Sequence, residues 1–382
     1  MRGAFPIATL TVVGVNTVVL LWVSNRAESV ESWGFVPAYP SIGSALTSMV
    51  VHMGWLHWLK NALFLVLFGW YVERALGWRR WLVLYLLSGL GAIGLHWAMS
   101  LTIQPALYGE GLVGASGAIS GLVGYFALRF YRHRVRLLWA SPSRWGIAIP
   151  MWVGVVLWVI LQGVGAILDA GQPTPSEVSY WAHLGGFATG LTLALIWGAG
   201  TASEREYALQ QAEQALQQGA AGDALRHLEP LLNTPRPEPY WLYLKGVAWT
   251  MLGDIDEART ALLQAFQNAL NQHNYTTMAQ AADQLAQLEQ LHTLPAPALR
   301  TLFQHAERHH DGKRALRWLE TLTRHPELPE RPEWLLLHAR LLRQHGQPDA
   351  ACALFQQILM EYPNSPQAMM AQLHSARCPK AP

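Results

Sequence analysis

The first 200 residues contain long runs with no charged side chain at all, and runs of that kind leave a chain few ways to fold. A bilayer core about 30 Å thick takes about 20 mainly apolar residues per spanning helix. Uncharged runs cover Gly3–Asn25, Trp81–Gly109, Gly111–Leu128, Trp145–Leu168 and Val178–Ser203. A sixth apolar stretch, from Trp55 to Val72, is interrupted only by Lys60, near its start, where a long side chain can snorkel outward. The pattern predicts six spans, at about 5–23, 55–75, 81–101, 114–131, 146–168 and 180–198. No A-x-A-like cleavage site follows Val23, so the first span reads as a retained helix and not as a signal peptide.

Charge divides the chain in two. Residues 1–200 hold 17 of the 52 charged side chains and 14 of the 18 tryptophans. The remaining 35 charged residues follow position 200. This excludes a single globular domain and long-range disorder. Nor is any part basic enough for nucleic-acid binding. The expected domains are residues 1–200, in the membrane, and residues 204–382, soluble, with residues 199–203 as a short connector. The two cysteines, Cys352 and Cys378, form no CxxC or CxxH pattern and read as structural or incidental thiols in a reducing compartment.

Orientation follows from loop charge. The second-to-third connection carries Arg74, Arg79 and Arg80, and the fourth-to-fifth carries Arg129, Arg132, Arg134, Arg136 and Arg144. The opposite loops hold Arg26, Glu28, Glu31, Glu110, Asp169 and Glu177. Both termini are therefore expected in the cytosol, most plainly of a bacterial inner membrane, since no Arg/Ser-rich transit segment precedes the first span.

Polar side chains inside a span are costly, so each is a functional candidate. His57 and Asn61 open the second span, Ser116 the fourth and His183 the sixth. In this topology all three helices start at the outer face, so the four groups share one depth. Gly117, Gly121 and Gly124 form a stripe suited to close helix packing, and Gly186 and Gly190 do the same on the helix of His183. Two such helices can bring the hydroxyl of Ser116 to the imidazole of His183, which makes a nucleophile activated by a general base. Packing alone would explain the glycines, and a structural hydrogen bond would explain His183 by itself. No carboxylate lies in the fourth or sixth span, and Glu73 is roughly 18 Å along its helix from Asn61. A Ser–His dyad thus fits better than a triad.

His57 and Asn61 are i and i+4 on one helical face and could serve an oxyanion with the Ser116 backbone N–H. A metal site is disfavoured. His52 and His57 would lie about 140° apart on a helix, and no acidic or Cys ligand is near.

The ordered set H52-x4-H57-x3-N61, G69-x3-E73-x3-G77, G114-A-S116-G117 and H183-x2-G186-x3-G190 over six spans resembles the rhomboid intramembrane serine proteases. The resemblance covers about residues 5–198. It implies Ser116 as nucleophile, His183 as base, and His57, Asn61 and the Ser116 N–H as the oxyanion hole. It also implies a structural or assisting His52 and a structural buried Glu73 tied to backbone or basic neighbours. The substrate implied is the membrane segment of another protein, reached laterally beside the second and fifth spans, with Trp152 and Trp158 as candidate gate residues. Acyl transfer of this kind needs no cofactor. Two departures stand out: no Trp-Arg dipeptide occurs in 25–51, and Ser120 stands where some members carry Tyr.

From about Glu204 the composition turns to Ala, Leu, Gln, Glu and Arg with helical periodicity. Leu242…Gly246…Trp249…Gly253…Ala258…Leu262…Ala265 and Leu335…Ala339…Leu342…Gly346…Ala351…Phe355 match tetratricopeptide spacing. Weaker units centre on Ala224 and Ala315, an extra helix over Tyr275–His292 interrupts the array, and Pro235, Pro237 and Pro239 mark a hinge. Such a module binds a protein or peptide partner in the cytosol. The fold class expected is all-α: a six-helix membrane bundle followed by helical repeats. An intramembrane endopeptidase is the function expected. The alternatives are an inactive relative that binds membrane helices in quality control, and a transporter, which would place its polar groups at mid-membrane.

Overall fold

The structure, a computed structural model, describes residues 5–24, 30–136, 148–325, 328–376 and 378. Arg26, Glu28 and Arg144, used above for orientation, lie outside the described residues. The described chain is helical apart from one two-stranded ribbon. It divides into two compact units, 1–207 and 208–382.

The first unit contains α1 (Ile7–Ser24), α2 (Ile42–Ser48), α3 (Trp55–Leu76), α4 (Trp78–Thr102), α5 (Ser116–Arg129), α6 (Met151–Ala170) and α7 (Tyr180–Ile196). Helix α8 (Ala199–Gln217) begins in this unit and ends in the second. Helices α1, α4 and α6 are each long and apolar enough to cross a membrane, and α7 and α8, bent by 62°, pass that test as a pair. His57, Lys60 and Asn61 dilute the apolar character of α3. The fourth expected span is only 14 residues of helix, but 11 of them are buried, so α5 is the centre of the bundle and its neighbours face outward.

Several boundaries differ from expectation. The fifth helix starts at Met151 and not near 146, because Ala148–Pro150 pairs as a strand with Arg134–Arg136 and Pro150 sits at the helix cap. Residues 199–203 are not a connector. Gly198 takes the left-handed φ of 68° that ends α7, and the Ala-rich segment after it enters α8 at once. Asp169, read as a loop residue, lies in the last turn of α6 and is buried.

Glu73 shows how one buried acid can set a helix. Its carboxylate accepts hydrogen bonds from the backbone N–H of Ala8 (2.8 Å) and Thr9 (2.7 Å) and from the Thr9 hydroxyl (2.7 Å). These amides are at the start of α1, where no helical acceptor exists and negative charge is favoured. A Cβ at Gly69 would lie 2.9 Å from Thr9 Cγ2, and Gly77 takes φ 76° between α3 and α4. The G69-x3-E73-x3-G77 pattern therefore docks α1 and turns the chain. The acid's partners are backbone and a hydroxyl, not basic side chains. At the other end of α5, Arg129 makes a bidentate pair with Glu206 (2.6 and 2.8 Å), and Arg132 pairs with Glu204.

The second unit continues with α9 (Ala221–Leu232), α10 (Pro239–Leu252), α11 (Ile255–Asn271), α12 (Tyr275–Gln287), α13 (Ala296–Arg308), α14 (Gly312–Arg324), α15 (Arg331–Gln344), α16 (Pro348–Glu361) and α17 (Pro366–Ser375). Ala224, Ala258, Ala265, Ala315, Ala339 and Ala351 are all buried where helices meet. A Cβ at Gly246 would meet Leu262 Cγ at 2.6 Å, so α10 and α11 pack at contact distance there. The segment expected as an extra helix is α12 followed by a 3₁₀ turn, Leu291–Thr293. Cys352 and Cys378, read as structural or incidental thiols, are instead paired by a disulfide in the structure. Helix α17 folds back on α16 and brings positions 26 apart in sequence to a Cα–Cα distance of 5.8 Å.

Candidate active site

Ser116 is the first residue of α5 and is delivered by a turn that only glycine can make. Gly114 has φ 119°, and a Cβ there would lie 2.8 Å from both Cε1 and Nε2 of His57. The imidazole of His57 thus rests against the turn that carries Ser116. The Gly114 N–H donates to the Ser48 carbonyl (2.8 Å), and Phe35 and Leu112 exchange two backbone hydrogen bonds just upstream, so the turn is held by the segment before α3. As the first amides of a helix, those of Ser116 and Gly117 have no intrahelical acceptor and point the positive helix end at whatever lies before them.

Helix α7 approaches α5 through the glycines singled out in the sequence. A Cβ at Gly186 would lie 1.9 Å from the carbonyl oxygen of Gly117, and one at Gly190 would lie 2.0 Å from that of Gly121. A Cβ at Gly124 would lie 2.3 Å from the carbonyl of Phe187. Backbone meets backbone along the whole contact. Ser116 and His183 consequently open on one cavity of about 760 Å³, which His57, Asn61, Lys60 and Trp158 also line. No hydrogen bond joins Ser116 to His183 among the described residues. A nucleophile–base contact of this type commonly tightens only around the substrate.

The remaining expected residues fall nearby. Asn61 is buried and donates through Nδ2 to the His57 carbonyl (2.9 Å), leaving its second N–H proton for another acceptor. His52 precedes α3, so helical spacing does not describe its relation to His57. The two rings meet edge to face, 5.3 Å apart. His52 Nδ1 bonds the Val50 carbonyl (3.1 Å), and burial, with the neighbouring His57, pushes its pKa down to about 4. It is a neutral prop for the His57 ring at ordinary pH. Ser120 returns its hydroxyl to the Ser116 carbonyl (2.7 Å). The aromatic ring beside His183 comes instead from Trp158, 6.3 Å away and tilted by 32°. Trp152 is half exposed and does not line the cavity.

Six polar contacts were not anticipated. Gln162 on α6 lies 2.7 Å through Oε1 from His183 Nδ1. His96, in the middle of the long uncharged run of α4, bonds the Ser179 hydroxyl (2.7 Å), and that hydroxyl also caps α7 by accepting from the Ala182 N–H. Gln104 donates to the Asp169 carboxylate (3.0 Å) and accepts from the Trp181 indole (3.0 Å). Asp169 also accepts from the Ser176 N–H (2.7 Å). These groups fix the start of α7, and hence His183, against α4 and α6. For Gln162, His96 and Gln104 the signal in the sequence was a neutral polar residue within an apolar run, the same signal that flagged Asn61.

Two family models match the chain: the Rhomboid domain over residues 40–200, and the Tetratricopeptide repeat over 209–274 and 300–367. The putative rhomboid protease YdcA of Bacillus subtilis is 33% identical over 130 residues, covering 32% of this chain and 61% of that protein. Rhomboid-type serine protease 2 of Emericella nidulans is 31% identical over 147 residues, 38% of this chain and 25% of that protein. RHOMBOID-like protein 4 of Arabidopsis thaliana is 32% identical over 146 residues, 38% of this chain and 32% of that protein. The matched region thus spans less than two thirds of each of these relatives. Sequence, helix order and matched families agree on a Rhomboid domain over 40–200, built of long apolar helices, followed by tetratricopeptide repeats.

Proposed function

We propose that the chain is an intramembrane serine endopeptidase that cuts membrane segments of other proteins near the outer face of the bilayer. The observation that carries this reading is the shared cavity of Ser116 and His183, at the starts of two helices locked together through Gly117, Gly121, Gly186 and Gly190. His183 Nε2 takes the proton of the Ser116 hydroxyl as its oxygen attacks the scissile carbonyl. The oxyanion forms beside the Ser116 N–H, with His57 and Asn61 as further donors. His183 then gives the proton to the leaving amine, and the C–N bond breaks. Water, deprotonated by the same imidazole, attacks the acyl-enzyme and frees Ser116.

A peptide bond inside a spanning helix is closed to attack, so the substrate must unwind locally. Small residues at the cut, and Gly or Pro beyond it, favour such unwinding. Access beside α3 and α6 puts Trp158 at the mouth of the cavity. The arginine-rich connections support cytosolic termini, in a bacterial inner membrane. The repeats, over 204–382, then present a cytosolic surface for a protein or peptide partner, and lipid surrounds the outward faces of the first half.

A serine-directed fluorophosphonate separates this reading from an inactive, helix-binding relative. The expected result is one adduct, on Ser116, which is lost in His183→Ala. An unlabelled wild-type protein, or a labelled serine elsewhere, contradicts it.

A further inference from the structure

The base of the proposed dyad is not alone: we infer that Gln162 is a positioning residue that fixes the tautomer and orientation of His183. The inference rests on the proteolytic reading above. Gln162 Oε1 and His183 Nδ1 are 2.7 Å apart, a distance of a good hydrogen bond. An amide oxygen only accepts, so Nδ1 carries the proton and donates it. Nε2 is left with the lone pair, and that is the nitrogen a general base must present to a serine hydroxyl.

The choice of a neutral partner follows from the surroundings. A carboxylate at this position would sit in an apolar helix and demand a large desolvation cost. An amide offers an acceptor in the same direction at far smaller cost. Helix α6 supplies a second constraint from the same face. Trp158 is one turn before Gln162, and its ring lies along the ring of His183. The indole limits tilt of the imidazole and the amide limits its rotation about χ2. Only Val155, Ala166 and Asp169 are buried on α6, so few other contacts hold that helix. Gln162 is therefore a principal polar link between α6 and the base.

The experiment compares wild type with Gln162→Leu and Gln162→Glu as full-length proteins in lipid vesicles, using a fluorogenic membrane-segment substrate. Gln162→Leu keeps the volume and loses the acceptor. It should lower kcat on the order of 10-fold or more, with KM changed less than about two-fold. Gln162→Glu restores an acceptor. It should recover more activity than Leu and move the acidic limb of the kcat/KM profile to higher pH, because a carboxylate stabilises the imidazolium. A residue that merely packs would move neither the profile nor the split between kcat and KM. In parallel, imidazole ¹⁵N shifts read the tautomer of His183 with no need for turnover. Protonation at Nδ1 in wild type and a mixture in Gln162→Leu are expected. A His183 tautomer that is the same in wild type and Gln162→Leu, or equal kcat and pH profiles in folded variants, overturns the inference. If the wild type shows no Ser116-dependent cleavage while the tautomer still responds to Gln162, the proteolytic reading fails and the positioning contact stands.

Discussion

A Cβ placed on Gly186 would lie 1.9 Å from the carbonyl oxygen of Gly117, so the helix of His183 and the helix of Ser116 touch through bare backbone. In an open helical site, Gly→Ala is stabilising by roughly 0.5–1 kcal/mol. At Gly186 the obstacle is a peptide carbonyl, which cannot swing aside, and the clash wins. Gly186→Ala should destabilise the membrane half by about 1–3 kcal/mol and separate Ser116 from His183. Thermal unfolding in detergent measures this, with Gly163→Ala as the control. Nothing lies within 4 Å of a Cβ at Gly163, and that variant should melt at or above the wild-type temperature.

Glu73 holds the first turn of α1 through two amides and a hydroxyl. Glu73→Ala should cost about 1–2 kcal/mol, and Glu73→Gln less, because an amide oxygen still accepts one bond. Hydrogen exchange at Ala8 and Thr9 checks the local origin. Unchanged protection there in Glu73→Ala would contradict the capping role.

In the repeats, His338 is buried beside Thr323, and burial lowers its pKa below 6.5, with Arg324 acting in the same direction and Glu320 opposing. The folded state then binds fewer protons than the unfolded chain just below pH 6.5. Stability of the repeats should fall as pH drops below about 6.5 and level off once both states are protonated. Denaturant unfolding of the full chain, followed by repeat-half tryptophans such as Trp318, measures the slope. His338→Gln should flatten it. An equally steep slope in that variant would assign the pH dependence to other groups.

Much of this was legible in the sequence because apolar runs and glycine stripes act locally. Their spacing alone brought Ser116, His183, His57 and Asn61 to one cavity. Tetratricopeptide spacing located the α10–α11 and α15–α16 pairs, since their small residues sit at fixed helix crossings. What was not legible depends on the third dimension. Gln162 and His96 lie in apolar runs, and only packing shows which histidine or serine each one meets. The helical start of 199–203 depended on Gly198 turning left-handed ahead of a segment that reads as a short connector. The Cys352–Cys378 bond required α17 to fold back on α16.

That bond also tests the proposed topology. Cys352 and Cys378 are placed to bond, but cytosolic thiols are normally kept reduced, so the proposed placement of the repeats predicts that the pair is held open as two thiols in intact cells. Alkylation with a mass-shifting maleimide before and after reductant decides it. Two reactive thiols without reductant fit a cytosolic repeat half. A pair that reacts only after reduction would contradict that placement.

Cleavage inside a membrane segment should depend on Ser116. The most direct measurement reconstitutes wild type and Ser116→Ala with a fluorogenic membrane-segment substrate in vesicles and maps the products by mass spectrometry. Wild type should make one cut near the outer end of the segment, and Ser116→Ala none. Equal cleavage by both proteins, or none by either across several substrates, would contradict it.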